Sequence, residues 1–190
     1  MLLMTDPCVS PGILNPEECA RLVALFEAAP GLPPARLAGG VESGIRVCRA
    51  LWIDDLPETS WAFARVARLV ADVNRDVFRF DLEDFREGMQ ILRYDAPVRG
   101  HAAGQYDVHV DIGATGHSAT RKLSVSVQLS APGDYAGGEL QVECDGALWT
   151  APRDVGTAVL FPSFVRHRVA PLDGGTRYAL VAWVHGPAFR

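Results

Sequence analysis

Asp107-Val108-His109-Val110-Asp111-Ile112 alternates polar and apolar residues, and its reading decides the fold. Period-two alternation marks a strand with one apolar face, so it predicts a strand over 107–112. Side chains two apart on a strand point the same way. His109 and Asp111 are therefore expected to share one face, with Val108, Val110 and Ile112 on the other. Turning an imidazole and a carboxylate toward a core is costly unless something pairs with them. A divalent metal satisfies both. The same His-x-Asp spacing also suits a surface strand pair or a simple His–Asp hydrogen bond, so the rest of the chain must choose.

Working outward, short apolar runs bounded by Gly, Pro and Asp fill the chain from Gly88 onward. Met89–Tyr94, Leu123–Leu129, Glu139–Val142, Ala158–Phe161 and Tyr178–Val184 read as strands, with Ala147–Thr150 and His167–Val169 as shorter ones. So many closely spaced strands, with no helical pattern between them, predict a closed or double-sheet β fold such as a jelly roll. Residues 31–50 and 95–105, rich in Gly, Pro and Ala, are expected to be loops.

The first part of the chain carries helical signals instead. Asn15-Pro16-Glu17-Glu18 combines a cap, a proline at the first helical position and a capping-box glutamate. Leu22, Leu25 and Phe26 follow at helical spacing, and Pro30-Gly31-Leu32-Pro33-Pro34 ends the helix. A second helix is predicted from about Glu58 to Val77, on the stripe Val66, Leu69, Val70, Val73 and Val77. The expected organisation is one domain over 1–190, with a helical support region at 1–87 and a β core at 88–187. Its class is mainly β with supporting helices (α+β).

Composition bounds the function. A 190-residue chain is long enough for one sizeable core, and 48% hydrophobic with 22% charged residues is the balance of a soluble globular protein. The net charge of −5 argues against nucleic acid as an obligatory partner. Cys8, Cys19, Cys48 and Cys144 form no CxxC pair, which suits reduced thiols in a cytoplasmic protein. No run approaches about 18 apolar residues, so no membrane span is expected, and the N-terminal residues do not read as a signal peptide.

Two later residues give the His-x-Asp pair company. His167 follows the buried run and turn Leu160-Phe161-Pro162-Ser163, and Arg177 enters the last apolar strand. In isolation these read as a loop histidine and an exposed arginine at a strand start. An arginine directed into a barrel needs an anionic partner, and its planar fork suits a carboxylate.

Read together, Arg93-Tyr94, Gly104 to Asp111, Arg121-Lys122-Leu123-Ser124, Gln128-Leu129-Ser130, Tyr135 to Leu140, Phe161-Pro162-Ser163, His167 to Pro171 and Gly175-Thr176-Arg177-Tyr178 occur in a telling order. In this the chain resembles the prolyl-4-hydroxylase-like branch of the 2-oxoglutarate/Fe(II) dioxygenases, above all the bacterial PKHD-type hydroxylases, over residues 88–187. The resemblance implies a double-stranded β-helix core with N-terminal helices packed on one sheet. It assigns His109, Asp111 and His167 to Fe(II), Arg177 to the distal carboxylate of 2-oxoglutarate, and Tyr94 to a hydrogen bond with the co-substrate. Gln128 stands where some relatives carry a second co-substrate contact, while Tyr135 to Leu140 match a structural turn. The cofactors implied are Fe(II), 2-oxoglutarate and O2, with ascorbate as a candidate stimulant. Halogenating relatives lack the carboxylate ligand, so Asp111 points to hydroxylation.

One departure is an insertion, Ala96-Pro97-Val98-Arg99-Gly100-His101, expected at the barrel mouth. His101 and His117 are candidates for substrate contact, with solvated loop histidines as the alternative. The expected substrate is an amino-acid or peptidyl side chain. A small-molecule natural product, a non-catalytic β-barrel and a cupin-like metal protein without 2-oxoglutarate are the competing readings. Fold cannot choose among substrates, and neither substrate identity nor oligomeric state is legible.

Overall fold

A computed structural model describes residues 5–35 and 44–188. Helix α1 (Pro16–Ala28) begins as the sequence predicts. Asn15 Oδ1 accepts from the Glu18 amide at 2.8 Å, and Glu18 Oε2 accepts from the Asn15 amide at 2.9 Å. Helix α2 (Ser60–Val73) is shorter than the stripe to Val77 implies. Residues Asn74–Phe78 continue it as a π-helical turn, closed by Arg79 at φ 56°. The Asn74 side chain explains the change: it bonds both the amide and the carbonyl of Phe80, at 2.9 Å each. The backbone is thereby drawn out of α-helical register.

Among the described residues, twelve strands form two sheets that face each other. They are β1 (Cys8–Ser10), β2 (Arg46–Val47), β3 (Arg49–Ile53), β4 (Met89–Asp95), β5 (Gln105–His109), β6 (Arg121–Gln128), β7 (Tyr135–Gly137), β8 (Leu140–Cys144), β9 (Ala147–Thr150), β10 (Ala158–Pro162), β11 (His167–Val169) and β12 (Leu172–His185). The larger sheet runs β1-β10-β6-β12-β4-β3, with β7 paired to the start of β12. The smaller runs β2-β5-β11-β8-β9, and both are antiparallel.

The support region is not purely helical, because β1, β2 and β3 arise from it. Each lies at the edge of its sheet. Such strands need little length and little alternation, which is why the sequence pattern passes over them. The expected 31–50 loop contains β2 and the start of β3; its residues 36–43 lie outside the described residues.

Alternation along the larger sheet separates two environments. Its outer residues, including Met89, Ile91, Leu123, Val125, Val127 and Leu180, join Leu22, Phe26, Val66 and Val70 of the two helices in the main core. Burying each such side chain contributes about 1.5–3 kcal/mol. The inner residues, including Gln90, Tyr94, Ser124, Arg177 and Trp183, line a cavity of about 710 Å³ shared with the smaller sheet. No helix among the described residues is long and apolar enough to cross a membrane.

Candidate metal centre and co-substrate pocket

His109 closes β5 and His167 opens β11, and antiparallel pairing sets the two residues opposite each other. Their ring centroids are 4.2 Å apart. His109 Nε2 lies 3.5 Å from Asp111 Oδ1, and His167 Nε2 lies 3.5 Å from Asp111 Oδ2. The structure thus brings the three sequence-predicted residues into one cluster.

Asp111 reaches that cluster by a different route from the one expected. Strand β5 stops at His109, two residues short of Asp111. The amides of Asp111 and Ile112 both donate to the Ser163 carbonyl, at 2.9 and 3.0 Å, which turns the chain out of the ladder. The strict alternation over 107–112 fails for that reason, and Val110 and Ile112 line the same cavity as His109 and Asp111.

Each ligand-type side chain is held from behind. His109 Nδ1 lies 2.7 Å from the Asp107 carbonyl, and His167 Nδ1 lies 3.0 Å from that of Val165. A carbonyl only accepts, so both Nδ1 atoms carry a proton, and the Nε2 atoms are the ones that face Asp111 and are placed for a metal. The His109 ring stacks on Tyr106 at 3.5 Å, and Phe161 flanks His167 at 4.6 Å. Ser124 Oγ donates to Asp111 Oδ2 at 2.6 Å and bonds Ser163 Oγ at 3.0 Å.

The electrostatics suit the same purpose. Burial works against the Asp111 charge, but the His167 and His109 imidazoles and the Ser124 bond outweigh it and hold the carboxyl below the usual range. Burial pushes His167 below the ordinary imidazole value, while Asp111 pulls it the other way. Two imidazole Nε2 atoms and one carboxylate on one side of a cavity are the donor set of a 2-His-1-carboxylate Fe(II) centre, so the residues present fit that metal.

Arg177 lies in the same cavity on β12, opposite Tyr94 of β4. It is buried, and its Nη1 has no hydrogen-bond partner among the described residues. A buried cation with an unsatisfied donor fits an anionic ligand such as a dicarboxylate. Tyr94 is also buried, with the Arg177 guanidinium 5.6 Å from its ring centroid. Burial and the neighbouring Cys48 push its phenol well above the usual range, so it stays a neutral donor. Gln128 Oε1 accepts from Arg177 Nε at 3.1 Å, so Gln128 braces the arginine.

His101 and His117 do not join the site. Both are exposed and neither lines the cavity of the triad. The insertion forms a small hairpin closed by Val98 and His101, and it borders a separate cavity with Arg49 and Arg93.

Other residues of the site escaped sequence reasoning. Ser124 and Ser163 sit inside quoted motifs, and their inward strand positions were the available signal. Arg121 donates to both oxygens of Glu87, at 2.6 and 2.7 Å, and to the Asp111 carbonyl at 3.2 Å. His185, fully buried, bonds Glu87 and Thr120 behind it. Nothing in the sequence pairs residues so far apart.

The comparisons with known proteins agree with this geometry. A PKHD-type hydroxylase of Paraburkholderia xenovorans is 27% identical over 179 residues, which span 91% of this chain and 75% of that protein. One of Acaryochloris marina is 40% identical over a local stretch of 79 residues, 42% of this chain and 36% of the relative. The fold resembles a Trichoplax adhaerens prolyl hydroxylase solved with a hypoxia inducible factor peptide fragment (TM-score 0.76, 18% identity, covering 94% of this chain and 83% of that one). It also resembles a Pseudomonas putida prolyl-4-hydroxylase (TM-score 0.72, 23% identity, 97% and 94% covered). The sequence profile of the 2OG-Fe(II) oxygenases matches residues 89–185, from the start of β4 to the end of β12. That stretch holds the three clustered donors and the buried arginine alike, and the chain belongs to the 2OG-Fe(II) oxygenase superfamily.

Proposed function

We propose that His109, Asp111 and His167 hold Fe(II), that Arg177 receives the distal carboxylate of 2-oxoglutarate, and that the enzyme hydroxylates an amino-acid or peptidyl side chain. The observation that carries this reading is the shared cavity. The Nε2 atoms of both histidines and the Asp111 carboxylate converge in it, and Arg177 is buried in its wall.

Bound together, Fe(II), 2-oxoglutarate and O2 supply oxidative decarboxylation to succinate and CO2, with one oxygen atom delivered to a C–H bond. The chain's own residues prepare for this. The Asp107 and Val165 carbonyls fix the imidazole tautomers. Ser124 orients the carboxylate. Arg177 supplies a fixed positive charge, Tyr94 a neutral hydroxyl, and Leu92, Val169 and Phe161 exclude water around them. The peptidyl substrate draws support from the prolyl hydroxylases of the same fold, and the four thiols without disulfide partners suit a cytoplasmic protein. We place the catalytic unit at residues 88–187, supported by the N-terminal elements.

Titrating Mn(II) calorimetrically into wild type, His109→Ala and His167→Ala tests the centre. Wild type should bind one ion and the variants none. Succinate release over amino acids and short peptides tests the substrate class, and turnover confined to non-peptidic compounds would reject it.

A further inference from the structure

The cation proposed to meet 2-oxoglutarate is itself held by a neutral group. Among the described residues no carboxylate lies within ion-pair distance of Arg177. Its Nε donates instead to Gln128 Oε1 at 3.1 Å. Both side chains are buried, at 3% and 5% exposure, where an acidic partner would normally be called for.

The amide can sit only one way round. Gln128 Nε2 is 3.0 Å from the Ser130 carbonyl and 3.0 Å from the Tyr135 hydroxyl. The carbonyl only accepts and Arg177 Nε only donates, so the oxygen must face the arginine. The brace continues outward. Arg153 lies 4.0 Å over the Tyr135 ring and donates from Nη2 to the Tyr135 carbonyl at 2.6 Å. On the other side Gly138, at φ +67°, leaves room for Leu172, whose Cδ1 would lie 2.4 Å from a Cβ there, beside the arginine stem.

We infer that Gln128 is a positioning residue for co-substrate binding. It fixes the guanidinium plane through Nε without neutralising its charge, and leaves the terminal nitrogens for the distal carboxylate. Glutamate has nearly the same shape and would orient Arg177 equally well. It would also cancel the charge that an incoming dicarboxylate needs, and would lose the bond to Ser130. The identity of the side chain therefore matters through charge as well as through packing. This inference rests on the assignment of Arg177 to the co-substrate.

The test is calorimetric titration of 2-oxoglutarate into Mn(II)-loaded wild type, Gln128→Glu, Gln128→Met and Arg177→Leu, with steady-state succinate release measured beside it. For Gln128→Glu, co-substrate affinity should fall roughly tenfold to a hundredfold, the range of one charge-assisted bond. Its KM should rise accordingly while kcat at saturation and Mn(II) affinity stay near wild type. Gln128→Met keeps the volume and removes the acceptor, and should lose several-fold. If Gln128→Glu does not fold, Gln128→Met decides alone. Wild-type 2-oxoglutarate affinity in the folded Gln128 variants, with Arg177→Leu impaired, overturns the positioning role. Wild-type affinity in Arg177→Leu overturns the co-substrate assignment itself.

Discussion

His109 and His167 are register partners across β5 and β11, so a single rung of an antiparallel ladder fixes the spacing of the two imidazoles. Asp111 has no such rung. Its carboxylate depends on Ser124 and its backbone on Ser163. The aspartate is therefore the ligand most sensitive to its surroundings.

Ser124→Ala removes the 2.6 Å bond to Asp111 Oδ2 without touching a ligand. Partners behind a metal ligand typically carry tenfold to a hundredfold in metal affinity, and a loss of about that size is expected here. Competitive Mn(II) titration checks it, and unchanged affinity would show that Asp111 is held by its backbone alone.

Glu87→Gln weakens the two-pronged bond to Arg121, whose third donor reaches the Asp111 carbonyl. Breaking a largely buried ion pair leaves an uncompensated charge, and a loss of roughly 3 kcal/mol is expected. Urea denaturation measures it. Limited proteolysis should also cut more readily between Asp111 and Thr120, because Arg121 tethers that segment.

Asn15→Ala removes one arm of the capping box on α1. The expected cost is about 1 kcal/mol, with turnover unchanged because α1 packs on the outer face of the larger sheet, away from the cavity. A thermal melt paired with an activity assay tests both halves, and lost activity in a fully folded variant would contradict the separation.

His185 gives the apo protein a pH dependence. Burial pushes its imidazole below the ordinary value of 6.5; Glu87 pulls the other way, while Arg121 and Arg86 add to the depression. The unfolded chain takes up a proton near pH 6.5 and the folded chain does so only lower. The corresponding stability is complete above that pH and falls as pH drops from about 6.5 towards the folded value. His167 is shifted the same way, so His185→Gln should make the slope shallower without abolishing it. Denaturation of the metal-free protein at pH 7.5 and 5.5 would settle the matter, and equal slopes in both proteins would exclude His185 as a source.

What the sequence disclosed follows from how local each signal is. The cap at Asn15 and the runs at Met89, Leu123, Ala158 and Tyr178 depend on neighbours a few residues away, and they appear where the pattern places them. The edge strands β1, β2 and β3 depend on distant partners, so their own residues carry little periodicity. His109, Asp111, His167 and Arg177 read as one set only through the motif order that resembles the 2-oxoglutarate/Fe(II) dioxygenases, and the structure gathers them around one cavity. The amide that braces Arg177, and the Glu87, Arg121 and His185 contacts behind Asp111, join residues far apart in the chain. Those links exist only once the sheets are paired.

The Ser163 carbonyl accepts two amides from the Asp111 segment, and four residues later the same turn delivers His167. The Asp111 segment, which follows β5, and His167 of β11 thus share one anchor, the turn between β10 and β11. A displacement of that turn would therefore reach the aspartate and the second histidine together. Substitutions that reshape that turn are therefore felt at two of the three donors at once.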